Sequence, residues 1–274
     1  MKKRLAFVGA HPDDCDILGS GLAMRYRELD WDVLFVSMAN GDAGHHEMTR
    51  PDLAARRKGE TEAVAAMLGI EYVVMPTSDC EVFPSLDQRW ALLRLLRQFA
   101  PDLVITHHAQ DYHADHRYTN QLVGDVSYLL KVPHCCPDVP ALRKDTVQAF
   151  FHAVRQEQRP DAFAVVIDVD DLWQRKVEVM AKHESQFFEW LPWVNNEDLT
   201  AVPGPADPAG RFAYIDRQRS PIFERSARLY RDRLCDLYGS ERGNSIRLAE
   251  AYVAAPFPTA LSEDNYRDLF PFVK

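Results

Sequence analysis

No stretch of this chain is apolar over the roughly 20 residues that a membrane-spanning helix needs, so no membrane span is expected. Positive charge is also in deficit: 32 Lys and Arg against 41 Asp and Glu leave a net charge of -9, with no basic stripe. Nucleic-acid binding draws much of its affinity from cationic contacts to phosphate, and no nucleic-acid partner is expected. The five cysteines, at 15, 80, 135, 136 and 235, lack Cys-x-x-Cys spacing and are odd in number, which fits free thiols in a reducing compartment. Met1-Lys2-Lys3-Arg4 leads into a strand without an apolar signal-peptide core or cleavage site, so a cytoplasmic location is expected. Glycines are missing where a dinucleotide would need them. The turn after the first strand holds Asp13, Asp14 and Asp16, which would repel a pyrophosphate, while Gly9, Gly19 and Gly21 stand too far apart for a dinucleotide fingerprint.

The 274 residues, 46% of them hydrophobic, suffice for one large domain spanning 1–274. Strand-like runs alternate with helical periodicity. Strands are expected at Leu5 to Val8, Trp31 to Met38, Glu71 to Met75, Asp102 to Thr106, Ala149 to Ala153 and Phe163 to Val169. Helices are expected at Gly19 to Leu29, Asp52 to Leu68, Leu86 to Phe99, Asp115 to Leu130, Asp171 to Gln186 and Pro221 to Tyr238. This βαβ alternation predicts an α/β, Rossmann-like three-layer fold with a mainly parallel sheet. From 191 to 211 four prolines break the pattern near Trp190 and Trp193, and an irregular segment of that length is a candidate substrate lid.

Two polar clusters follow predicted strands, at the sheet edge where open α/β sheets build their sites. The first, Ala10-His11-Pro12-Asp13-Asp14-Cys15-Asp16, sets an imidazole and three carboxylates behind Leu5-Ala6-Phe7-Val8. A divalent cation would hold that negative charge together, with His11 and Asp14 as ligands and Asp13 pointing elsewhere. A polar turn with an Asp N-cap is the simpler alternative. The second cluster, His107-His108-Ala109-Gln110-Asp111-Tyr112-His113-Ala114-Asp115-His116, packs four of the ten histidines into ten residues. Joined across a parallel sheet, the two loops give the His/Asp/His ligand set of a catalytic zinc that keeps one position open.

These segments resemble the LmbE/PIG-L family of zinc-dependent N-acetylglucosamine de-N-acetylases, whose motifs are Ala-His-Pro-Asp-Asp and His-Pro-Asp-His. Here the second motif reads His113-Ala114-Asp115-His116, with Ala114 in the proline position, and Asp16 replaces a common glutamate after the first. The resemblance implies that His11, Asp14 and His116 bind Zn2+, with Fe2+ or another divalent ion also accepted by such donors. It implies that Asp13 is the general base. It further implies that His113, oriented by Asp115 and protonated, assists as acid or oxyanion stabiliser. Arg57-Lys58-Gly59-Glu60 resembles the family's Arg-x-x-Glu helix, which makes Arg57 the candidate substrate arginine; an exposed Arg57–Glu60 ion pair is the equal alternative. Lys182-His183-Glu184-Ser185-Gln186 and Ala249-Glu250-Ala251-Tyr252 resemble later family segments. Cys15 sits inside the metal loop, but Asp14 fits the family pattern better, and His45 and His46 suit a solvent-exposed or pocket-rim position.

The expected activity is metal-assisted hydrolysis of the acetamide of an amino sugar or conjugate, with a small-molecule substrate and, by resemblance, assembly as a trimer or hexamer. An amidase of the same family acting on a thiol conjugate or other non-sugar amide is the alternative enzyme. A metal-dependent sugar-binding protein without turnover is the alternative of a different class.

Overall fold

The structure is a computed structural model that describes residues 2–152 and 163–273. The first half alternates as expected: β1 (Arg4–Gly9), α1 (Asp14–Glu28), β2 (Asp32–Ala39), α2 (Arg50–Leu68), β3 (Glu71–Thr77), α3 (Leu86–Phe99), β4 (Leu103–Thr106) and α4 (Ala114–Leu129). Then come β5 (Val147–Phe151), β6 (Ala164–Asp168), α5 (Trp173–Met180), a π-helical turn at Ser185–Trp190, α6 (Leu191–Val194), α7 (Pro208–Leu229) and, beyond two short helices, β7 (Ala249–Ala254).

The described strands form one seven-stranded sheet in the order β3-β2-β1-β4-β5-β7-β6. The first five are parallel neighbours, and β7 runs antiparallel between β5 and β6. Residues alternate faces along a strand, so both faces of β1 are buried. Leu5 and Phe7 pack with Leu22, Tyr26, Val177 and Ile215 from α1, α5 and α7. Ala6 and Val8 pack with Leu92, Leu96, Leu122 and Val126 from α3 and α4. The result is the three-layer α/β architecture predicted from the alternation. Strand order reverses between β1 and β4, which opens a crevice at their C-terminal ends. The pairing of Val8 with Thr106 brings both polar clusters to that crevice.

Several boundaries differ from expectation. α1 starts at Asp14, not Gly19, so the acidic run is itself the first helical turn, where the helix dipole favours negative charge. The expected helix over 171–186 stops at Met180, and a π-helical turn follows. The expected irregular segment at 191–211 holds α6, a 3-10 turn at Leu199–Ala201 and the start of α7. α7 begins at Pro208, not Pro221: the Asp207 side chain accepts the N–H of Gly210 at 2.8 Å and Pro208 occupies the first turn, while Pro221 lies inside the helix. The expected strand from Ala149 to Ala153 is displaced to Val147–Phe151, and Ala153 lies outside the described residues. Among the described residues no helix is long and apolar enough to cross a membrane.

A buried ionic cluster keys α1 to the far end of the sheet. Glu250 of β7 accepts the backbone N–H groups of Gly21 and Leu22, both at 2.9 Å, and meets Lys176 Nζ of α5 at 2.6 Å. Lys176 also donates to the carbonyl of Ile17 at 2.5 Å. Gly21 is required here, because a Cβ would lie 2.7 Å from Glu250 Oε1. Burial pushes the Lys176 ammonium down from its ordinary value, opposed by Glu250. Removing one partner from such a pair strands the other charge in the interior. Lys176→Met is therefore expected to lower unfolding free energy by about 3–5 kcal/mol in urea melts, with part recovered in the double variant Lys176→Met/Glu250→Gln. A loss below 1 kcal/mol in the single variant would show the pair to be dispensable.

Candidate active site

His11 and Asp13 lie on the turn between β1 and α1, and Asp14 opens the helix. Asp13 holds the N-cap position but makes no capping bond, so its carboxylate is not spent on the helix end. Asp14 turns back over the strand end. Its Oδ2 accepts the backbone N–H of Ala10 (2.9 Å) and His11 (2.7 Å) and lies 3.1 Å from His107 Nε2. Burial alone would raise the Asp14 carboxyl, but His116 and His107 outweigh it and hold it well below the usual carboxylate range.

The structure brings His11, Asp14 and His116 together. His116 Nε2 is 3.3 Å from His11 Nδ1 and 3.5 Å from Asp14 Oδ1, and His11 Nδ1 is 3.5 Å from Asp14 Oδ2. Donors about 2.0–2.1 Å from a tetrahedral zinc stand about 3.3–3.4 Å apart, so this spacing fits a shared divalent ion. The far nitrogens of both imidazoles face carboxylates, as metal-ligating histidines require. His11 Nε2 lies 3.2 Å from Asp79 and 3.4 Å from Asp115, and His116 Nδ1 lies 3.0 Å from Asp111. Burial alone would lower the His11 imidazole, but Asp115, Asp14 and Asp79 overcome it and hold its pKa well above the ordinary value. Other donor groups overlap this one, combining His113 with His11 and His116, His107 with Asp14 and His116, or Asp79 and Asp115 with His11.

The expected partnership of Asp115 with His113 is corrected. The Asp115 carboxylate, at the buried start of α4, turns away to His11 and accepts the backbone N–H of Cys80 at 2.8 Å. His113 is the N-cap of α4, and its Nδ1 accepts the Asp115 backbone N–H at 3.2 Å. Burial, then the neighbouring His11 and His116, push its pKa below the ordinary imidazole value. With Nδ1 taken up by the Asp115 N–H, Nε2 is the ring position left to donate, and the downward shift runs against the imidazolium that the motif implied.

Arg57 is almost fully buried, at 2% exposure, so the exposed ion pair with Glu60 does not form. Its guanidinium meets Asp13 Oδ1 at 3.2 Å and donates to the carbonyls of Pro12 (3.3 Å) and Gly41 (3.4 Å). Gly41, at φ +71°, is left-handed, and a Cβ there would lie 2.3 Å from Arg57 Nη1. Glu60 instead accepts the N–H and hydroxyl of Ser185. His183 lies 3.3 Å from Asp16, which also accepts the Tyr72 hydroxyl at 2.8 Å. His45 is not solvent-exposed: it is buried against Glu189 at 2.9 Å, and His46 stacks on Trp193.

Two cavities meet at these residues. One, of about 280 Å³, is lined by His11, Asp13, Arg57, His113, Gln186 and Trp190. The other, of about 210 Å³, is lined by Ile17, Leu18, His108, Phe151, His152 and Ile222. Asp14, Ile17, His116, Tyr112 and Arg219 belong to both. Of the residues missed at the sequence level, His107 and Asp111 stood inside the His-rich run without an assigned role. Asp79 had only the weaker signal of following a parallel strand, and Arg219 had none.

Two measurements test this geometry. His116→Ala is expected to lower metal content by elemental analysis, and His107→Phe, which keeps the ring stacked on His116 but removes the contact to Asp14, to weaken metal affinity by about 10–100-fold. Unchanged stoichiometry in the first, or unchanged affinity in the second, would remove that residue from its role. The proton balance gives a second check. Because its pKa is raised, metal-free His11 carries a proton at neutral pH that an incoming cation must displace. Affinity should rise as pH climbs toward that raised value and fall on acidification. Titration calorimetry in buffers of different ionisation enthalpy should show proton release at neutral pH, and buffer-independent heats would contradict it.

Comparison with known proteins gives the same placement. Residues 6–127 match the family model for PIG-L, described as GlcNAc-PI de-N-acetylase. The chain is 25% identical over 203 residues to diacetylchitobiose deacetylase of Thermococcus kodakarensis, covering 70% of this chain and 73% of that one. It is 24% identical over 196 residues to 4-oxalmesaconate hydratase of Pseudomonas putida, covering 67% and 75%. Its fold matches the solved N,N'-diacetylchitobiose deacetylase of Pyrococcus horikoshii with a TM-score of 0.69 at 21% identity, over 91% of this chain and 82% of that one. The matched segment contains both polar clusters, and residues 6–127 of this chain are a PIG-L/LmbE family domain.

Proposed function

We propose that this protein is a divalent-metal-dependent hydrolase that removes the acetyl group from an N-acetylglucosamine-type amino sugar or conjugate, giving acetate and a free amine. The observation that carries this reading is Asp13: a carboxylate fixed by Arg57 at 3.2 Å, in the wall of the cavity that holds the His11, Asp14 and His116 donors. A protein that only bound sugar would have no use for a spare base at that point. The deacetylase relative supports the choice of an acetamide.

A divalent ion held by His11, Asp14 and His116, with Zn2+ the expected species, would supply Lewis acidity that polarises the acetamide carbonyl and acidifies water. The chain's own groups do the rest. Arg57 holds Oδ1 of Asp13, leaving Oδ2 to take a proton from the attacking water. His113 donates an Nε2–H hydrogen bond to the carbonyl oxygen as that oxygen gains charge and keeps its proton throughout. Asp13 then returns its proton to the nitrogen as the C–N bond breaks, so water and amide are consumed and acetate and amine leave. Arg57 is a positioning residue in this scheme. The five unpaired cysteines support a cytoplasmic setting.

The hydratase relative favours a second reading, in which the same base directs water to a carbon–carbon double bond. Acetate release from N-acetylglucosamine and N,N'-diacetylchitobiose, measured beside loss of ultraviolet absorbance from 4-oxalmesaconate, separates the two. Acetate release is expected, and activity on the unsaturated acid alone would replace the proposal. Asp13→Asn should keep stoichiometric metal yet lose about 10²–10⁴ in turnover, the usual weight of a general base. Turnover within about twofold of the parent would sink the role of Asp13.

A further inference from the structure

Arg219 of α7 lies where the two cavities meet and lines both. Its guanidinium stands 5.0 Å from the ring centroid of Phe187, and its Nε is buried without a hydrogen-bond partner. Among the described residues no carboxylate lies within ion-pair distance of it; the nearest acidic influence, Asp13, is already held by Arg57. Ile222, one turn along the same helix face, lines the less polar cavity with Ile17, Leu18 and Phe151. Burial pushes the Arg219 guanidinium below its ordinary value, opposed by Asp13, Tyr112 and Tyr214. Arg219 as a whole is half-buried, and beyond Nε its guanidinium lines the two cavities, where a permanently charged group without a carboxylate partner is available to an anion.

We propose that Arg219 binds an oxyanion, a carboxylate or a phosphate, carried by the part of the substrate that occupies the cavity of Ile17, Leu18, Phe151 and Ile222. The inference rests on the hydrolase reading above and narrows it: the amino sugar is an anionic conjugate rather than a neutral saccharide. The planar fork of the guanidinium suits either anion, and the attachment point on the sugar separates the two sources. The competing role is purely electrostatic, with Arg219 acting on Asp13 and touching no substrate.

Acetate release from N-acetylglucosamine, N-acetylglucosamine 1-phosphate and N-acetylmuramic acid, compared in the parent, Arg219→Gln and Arg219→Lys, distinguishes these roles. The parent should prefer one anionic substrate over N-acetylglucosamine in kcat/KM. Arg219→Gln should lose about 10–100-fold on that substrate, mainly in KM, and so collapse the preference, with Arg219→Lys retaining part of it. Preference for the phosphate or the carboxylate identifies the source. An equal loss in kcat on every substrate would assign Arg219 to Asp13, and no anionic preference in the parent would overturn the proposal. If no acetate appears from any substrate, the hydrolase reading fails, and thermal midpoints still decide Arg219. A rise given by N-acetylglucosamine 1-phosphate beyond that given by N-acetylglucosamine, present in the parent and lost in Arg219→Gln, upholds the anion site, and its absence overturns it. Arg219→Lys covers the case in which Arg219→Gln fails to fold.

Discussion

Five carboxylates, those of Asp13, Asp14, Asp79, Asp111 and Asp115, gather at the C-terminal ends of β1, β3 and β4, and the site is organised by the need to balance them. Like charges about 4 Å apart near a protein surface repel by about 4 kcal/mol, so each must find a positive or hydrogen-bonding partner. Asp13 takes Arg57, and Asp14 takes two backbone N–H groups and His107. Asp79 and Asp115 share His11, and Asp111 takes His116. His11 and His116 each answer a carboxylate with one nitrogen and turn the other toward a common point. A cation at that point would complete the balance, so the proposed metal chemistry has its basis in how the fold neutralises its own acids.

The sheet and the two polar clusters were legible because their signals are local. Apolar runs ending in turns mark buried parallel strands, and His11, Asp14 and His116 each follow such a run at short range. What was not legible depends on direction. Asp115 is two residues from His113, and proximity in sequence suggested a pair; the first turn of α4 sends its carboxylate to Cys80 and His11 instead. Arg57 carried an i, i+3 acidic partner at the right spacing, yet burial turned it to Asp13 and gave Glu60 to Ser185. Pro221 reads as a helix start, but the Asp207 cap and Pro208 begin α7 thirteen residues earlier, and that extension is what brings Arg219 to the cavity. Arg219 itself is one of many arginines in a helical stretch, and only the folded chain distinguishes it.

The candidate reactive groups come from one part of the chain, and the groups that line the cavities come from that part and from beyond it. His11, Asp13, Asp14, His113 and His116 all lie inside residues 6–127, the segment that matches the family. The walls that set the size and charge of the cavities draw on Phe151, Gln186, Trp190, Arg219 and Ile222, all beyond it.

The bonds from Glu250 to Gly21 and Leu22 join positions 229 and 228 residues apart, and Lys176 reaches back to Ile17 across 159. On a ribosome the βα unit that carries the candidate metal-binding turn emerges well before two of the side chains that engage the middle of its helix. Non-local contacts of this kind are formed late, after the entropy of closing a long loop has been overcome. A turn made early is thus braced by contacts made late, through a strand that sits between β5 and β6.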